Sequence, residues 1–147
     1  MQDHAQIKEM LLQSRQSAAR HLENIRQAVP LKRDVFDAEM RQYILCKYML
    51  EGVECNTDNF NELTELSLSR SMKVSKELVE EFDTAQSCDG ATSAMAKKVL
   101  LFMNIERELN IQIPAEQSAK NITLEQLIAL IWGAMAETEV WKGKLAV

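Results

Sequence analysis

Residues 89–131 read DGATSAMAKKVLLFMNIERELNIQIPAEQSAKNITLEQLIALI, and the order of signals in that stretch decides the fold. A glycine-marked turn leads into an amphipathic helix, a proline-marked crossing and a last capped helix. Thr92 or Ser93 can cap the central helix, because a side-chain oxygen there accepts from an N–H that has no intrahelical partner. The apolar positions Met95, Val99, Phe102, Ile105 and Leu109 advance by 4, 3, 3 and 4 residues, which keeps them on one helical face. Asn110 ends this helix, Ile111 and Ile113 pack the crossing, and Pro114 opens a polar connection in which AEQSAK forms a single turn. Thr123 caps the last helix and Gln126 completes its capping box, with Leu124, Leu127, Ile128, Ile131, Trp132 and Met135 facing inward. After Gly133 the tail is expected to prolong that helix, with Trp141 as an anchor.

Toward the N-terminus the same period recurs. Ile7, Leu11, Ala18, Leu22, Ile25 and Val29 mark a helix over residues 3–28, which Asp3 and Gln6 can cap as a box and which Pro30 ends. Asp34 can cap a second helix running to about Glu51, with Val35, Phe36, Met40, Tyr43, Ile44 and Met49 on or near its buried side and Gly52 as terminator. The short connection makes these two helices an antiparallel hairpin. Between Asp58 and Phe82, apolar residues recur at Phe60, Leu63, Leu66, Leu68, Met72, Val74, Leu78 and Val79, but serines stand at 67, 69, 71 and 75. Serine competes with helix for its own backbone, so the expectation here is two shorter helices broken near Ser67–Ser71, then a loop from Thr84 to Gly90.

Composition sets the outer bounds. With 147 residues, 46% of them hydrophobic, the chain can bury a full core, and 5% aromatics with four glycines and two prolines is the vocabulary of an all-α protein. A net charge of −5, with basic residues interleaved among acids, argues against nucleic acid as a partner. No apolar run is long enough to span a bilayer and no secretory leader is evident, so the expectation is a cytoplasmic protein without a membrane. Cys46, Cys55 and Cys88 form no CxxC pair and are expected as free thiols. His4 and His21 both fall on the first helix, so no metal site is expected. His21 and Cys46 read as packing or surface residues. Asn121-Ile122-Thr123 fits a glycosylation acceptor but reads better as a loop running into a helix cap.

Four pieces of the central stretch carry a resemblance. Gly90-Ala91-Thr92-Ser93, Glu106-Arg107-Glu108-Leu109, Ile113-Pro114 and Ile122-Thr123 follow one another as the corresponding pieces do in the acyl carrier proteins. The resemblance covers under a third of the chain. It implies an acyl-carrier-like four-helix bundle over residues 56–147, preceded by an N-terminal helical extension over residues 1–55. It also implies a 4′-phosphopantetheine arm on Ser93, holding an acyl or aminoacyl group as a thioester. A carrier of this kind is no enzyme; its partners are biosynthetic enzymes and a phosphopantetheinyl transferase that activates the serine from outside. Physical chemistry makes the position apt, since a helix N-terminus presents free N–H groups and a partial positive charge to a phosphodiester.

Several alternatives stay open at this stage. Counting back from Ile113-Pro114 puts Met95 at the family's usual serine distance, whereas counting forward favours Ser93. Thr92 stands where an acid is usual and Ala94 where a leucine or methionine is usual. From Asp89 to Trp132 five acids face four bases, Lys97, Lys98, Arg107 and Lys120, so a docking face of the family's acidic kind would be weak. Lys97 and Lys98 read as a solvated helix face, with docking to an acidic partner as the sharper option. The family's first helix is either Asp58–Val74 or Asp34–Glu51, the latter making residues 58–82 an insertion. Ser93 is also well explained as a plain N-cap. The second functional reading is accordingly an arm-less carrier-like scaffold in a peptide natural-product maturation pathway, its N-terminal hairpin packing on the carrier core or forming a homodimer.

Overall fold

The computed structural model describes residues 4–78 and 93–146. Asp3, Val79, Phe82, Cys88, the loop expected over residues 84–90 and the triplet Gly90-Ala91-Thr92 lie outside them. Among the described residues the fold is all-α: α1 (His4–Gln27), α2 (Arg33–Lys47), α3 (Phe60–Leu78), α4 (Ala94–Leu109), α5 (Leu124–Ala136) and α6 (Glu139–Lys142), with a 3-10 turn at Ala115–Ala119.

The hairpin of α1 and α2 is antiparallel. His21 Nδ1 meets Glu39 Oε2 at 2.6 Å near one end, and Ile7 packs with Met49 at the other. Ile7, Ala18, Leu22 and Ile25 are buried as their spacing requires, whereas Val29 falls past the last turn and is exposed. Asp34 is not the cap of α2. Lys32 holds that position without a side-chain bond, and the Asp34 carboxylate accepts from the N–H of Val35 within the first turn. Val35 is exposed.

α2 stops at Lys47, four residues before the expected end. Met49 takes a left-handed φ of 59°, so that its N–H reaches the Cys46 carbonyl at 3.0 Å and the Leu50 N–H reaches the Leu45 carbonyl at 2.8 Å. This is the paired closure usually built on glycine. Burial of Met49 and Leu50 offsets the steric cost of a side chain in that conformation, about 1–2 kcal/mol. Gly52, with φ 74°, shapes the following turn instead of the helix end. At the end of α4, Asn110 adopts φ 55° and ψ 50°, a conformation asparagine tolerates well, and the Ile111 N–H bonds the Glu106 carbonyl at 3.1 Å.

α3 is one helix of 19 residues, not two. Its serines do not disrupt it because the buried ones are aimed at other elements. Ser67 Oγ donates to the Tyr48 carbonyl at 2.7 Å, and Ser71 Oγ accepts from Lys97 Nζ at 2.8 Å. Thr64 bonds back to its own helix, through the Phe60 carbonyl at 2.8 Å. Asn59 caps the helix by accepting from the Glu62 N–H at 3.0 Å. Leu66 lies on the exposed side of α3, not in the core.

Two backbone joints tie distant parts together. The starts of α3 and α5 meet, Phe60 N–H donating to the Ile122 carbonyl at 2.9 Å and Leu124 N–H to the Asp58 carbonyl at 2.7 Å. The Asp58 carboxylate accepts from the Glu125 N–H at 3.4 Å at the start of α5, where negative charge is favoured, and pairs with Arg41 at 3.0 Å. The capping box on α5 is complete: Gln126 N–H to Thr123 Oγ1 at 3.0 Å and Thr123 N–H to Gln126 Oε1 at 2.9 Å. At the other end α5 does not run on into the tail. Thr138 turns extended, its hydroxyl donating to the Ala134 carbonyl, and the short α6 follows. Trp141 anchors that turn by donating its indole N–H to the Leu109 carbonyl at 2.7 Å, and residues 144–146 pair with Leu31 in the hairpin connection.

One cluster of buried side chains runs through all of this. Leu22, Ile25, Phe36, Met40 and Ile44 of the hairpin belong to the same core as Phe60, Phe102, Ile105, Ile128 and Ile131. Each such side chain removed from water stabilises by about 1.5–3 kcal/mol. The buried face of the hairpin therefore packs on the rest of its own chain.

Candidate functional site

Ser93 stands at the start of α4, exposed, with φ −143° and ψ 158°. Its Oγ accepts from the Ala96 N–H at 3.1 Å, and its carbonyl accepts from the Lys97 N–H at 3.0 Å. It is thus the N-cap of a 16-residue helix, with the hydroxyl proton directed away from that bond. Among the described residues no acid or histidine is hydrogen-bonded to Ser93 Oγ. No group of three or more His, Cys, Asp or Glu that could hold a metal occurs among the described residues.

The helix behind Ser93 is rotated relative to the stripe read from sequence. Met95 (49% exposed) and Val99 (37%) face solvent together with Met103 (57%), whereas Lys97 (6%) and Lys98 (4%) are buried beside Leu101, Phe102, Ile105 and Leu109. The two lysines are not a solvated face. Stepping back three or four residues from Leu101 and Phe102 lands on them, a signal that the charged identity of lysine conceals. Their long methylene stems make burial practicable.

Each ammonium has a polar berth. Lys97 Nζ donates to Ser71 Oγ at 2.8 Å and lies 5.8 Å from the centre of the Tyr48 ring. The Tyr48 hydroxyl donates to Thr64 Oγ1 at 2.9 Å, since Thr64 spends its own proton on the Phe60 carbonyl. Burial pushes the Tyr48 phenol well above its ordinary range. Lys98 Nζ donates to Asn61 Oδ1 at 2.6 Å and to the Lys120 carbonyl at 3.3 Å, 5.8 Å from the Phe60 ring centre. Burial lowers its pKa, because leaving water disfavours the charged form. Asn61 passes the chain on to Asn121 Oδ1 at 3.3 Å, which also accepts from Asn59 at 2.7 Å. This polar seam joins the first half of α4 to α3, the α2 end and the loop before α5. Sequence reasoning missed it because every bond in it spans distant residues.

On the far side of α4, the Glu106 carboxylate accepts from the Ile113 N–H at 2.9 Å and holds the crossing segment against the helix. Ile111 and Ile113 are buried there as expected. Cys46 and Cys55 are free thiols, Cys46 buried with its pKa pushed up to about 12, first by burial and then by Glu51. No helix of the described residues is long and apolar enough to cross a membrane. No protein-family model, curated protein or solved structure matches the chain.

Proposed function

We propose that this chain is a carrier protein that holds an acyl or aminoacyl group as a thioester on a 4′-phosphopantetheine arm attached to Ser93. The observation that supports this reading is the exposed Ser93 hydroxyl at the N-terminus of α4, followed by the crossing, the 3-10 turn and the Thr123-capped α5 in the order the carrier resemblance requires. The partial positive charge of a helix N-terminus suits the phosphodiester of the arm. A transferase would supply the base that activates the serine.

With Lys97 and Lys98 turned inward, the face of α4 beside Ser93 is Met95, Val99 and Met103, one helical turn apart in succession. Partner enzymes would meet it through apolar contact, methionine adapting to more than one surface. The arm-less scaffold is the second reading, favoured by Ser93 Oγ already accepting the Ala96 N–H.

Incubation of the folded chain with coenzyme A and a promiscuous phosphopantetheinyl transferase, read by intact mass beside Ser93→Ala, tests the choice. Gain of one phosphopantetheine that the substitution abolishes supports the carrier. An unchanged mass in protein with native circular dichroism rejects it and leaves Ser93 as a helix cap.

A further inference from the structure

Away from Ser93, a cleft of about 410 Å³ opens between α1, the turn after α2 and the middle of α3. Its polar lining includes Gln13, Ser14, Ser17, Arg20, Glu51 and Arg70. Arg70 is the unusual member. Its Nε is buried without a hydrogen-bond partner among the described residues, and its Nη2 reaches only the Met10 thioether at 3.5 Å, a weak acceptor. Arg26, Arg33, Arg41 and Arg107 each stand in an ion pair. Among the described residues, Arg15, Arg20 and Arg70 stand in none, and of these Arg20 and Arg70 line the cleft.

A buried donor left unmade is expensive, so the Arg70 guanidinium has bonding capacity that its present neighbours leave unused. Two arginines, two hydroxyls and the carboxamides of Gln13 and Gln16 line one small cleft, with Glu51 as its single carboxylate. That donor set exceeds what the two oxygens of a carboxylate can take up and suits the three terminal oxygens of a phosphate group. We infer that this cleft binds a phosphate group, with the part-buried Arg70 as the inner cation, the exposed Arg20 as the outer one and Ser14 and Ser17 as neutral donors. The inference is independent of Ser93.

The test titrates the full chain calorimetrically with inorganic phosphate and, separately, with glycerol 3-phosphate, at constant ionic strength set with chloride. Saturable binding is expected, weakened at least tenfold by Arg70→Met and several-fold by Arg20→Gln. Glu51→Gln tightens it several-fold by removing the opposing charge. Tighter binding of the ester than of the free anion would identify a phosphorylated small molecule as the occupant; equal binding would identify phosphate itself. Should Arg70→Met fail to fold, Arg20→Gln alters an exposed side chain and reads the same site. Absence of saturable binding by either ligand, or wild-type affinity in Arg20→Gln together with no tightening in Glu51→Gln, overturns the inference.

Discussion

Replacing Ser67 by alanine separates two opposed expectations about α3. By helix propensity alone, serine to alanine in a helix interior gains about 0.5 kcal/mol, and the change should stabilise. The structure sets the opposite sign. Ser67 is fully buried and its hydroxyl donates at 2.7 Å to the Tyr48 carbonyl, at the place where α2 has just ended and its last carbonyls lack intrahelical donors. Losing that donor inside the core costs about 1–3 kcal/mol, so Ser67→Ala is expected to destabilise by about 1–2 kcal/mol after the propensity gain. Ser69, two residues on and exposed, supplies the control: Ser69→Ala keeps the propensity gain and loses no buried bond, and should stabilise by a few tenths of a kcal/mol. Urea unfolding followed by far-ultraviolet circular dichroism measures both, with a shift in midpoint at constant slope as the readout. A Ser67→Ala protein as stable as Ser69→Ala would refute the claim that the serines of α3 serve its neighbours.

Three further outcomes follow from the polar seam and its surroundings. Lys98 has a folded pKa below its ordinary 10.5, so between the folded and unfolded values the unfolded chain binds more protons at this group and stability rises with pH. Lys98→Met should remove that rise when denaturation is compared from neutral pH up to about pH 10, and an unaltered pH profile would count against a desolvated ammonium. Since the thiolate is the reactive form and burial raises the Cys46 pKa to about 12, a Cys55→Ser/Cys88→Ser double variant should resist a disulfide-exchange reagent until unfolded. Rapid labelling of the folded double variant would contradict this. Trp141→Phe removes the 2.7 Å bond to the Leu109 carbonyl and should destabilise by about 1–2 kcal/mol, visible as a lower melting temperature; an unchanged melting temperature would show that the indole N–H contributes nothing.

Much of the fold was legible in advance because it rests on neighbours in the chain. The Thr123–Gln126 box, the Asn110 stop, the turn after Pro114 and most of the stripe of α1 each rest on steps of about one helical turn, and they appear as read apart from the exposed Val29 and the half-buried Leu11. The candidate site was legible in part. Ser93 as an N-cap follows from local chemistry, while the orientation of α4 behind it does not. Hydrophobicity placed Met95 and Val99 inside and Lys97 and Lys98 outside, and the helix turns the other way because Ser71 and Asn61, 26 and 37 residues distant, offer the two ammonium groups acceptors.

The same distinction of range accounts for α2 and α3. No pattern within α2 foretells that a methionine would take the left-handed closing position; burial of Met49 against Ile7, on another helix, makes the conformation tolerable. Continuity of α3 depends on a carbonyl 19 residues upstream for Ser67. Periodicity, caps and breakers established that this chain is helical and where most helices begin and end, since those signals act through adjacent backbone groups. Which faces turn inward, which polar groups are buried and where the hairpin docks depended on partners that only folding brings within bonding distance.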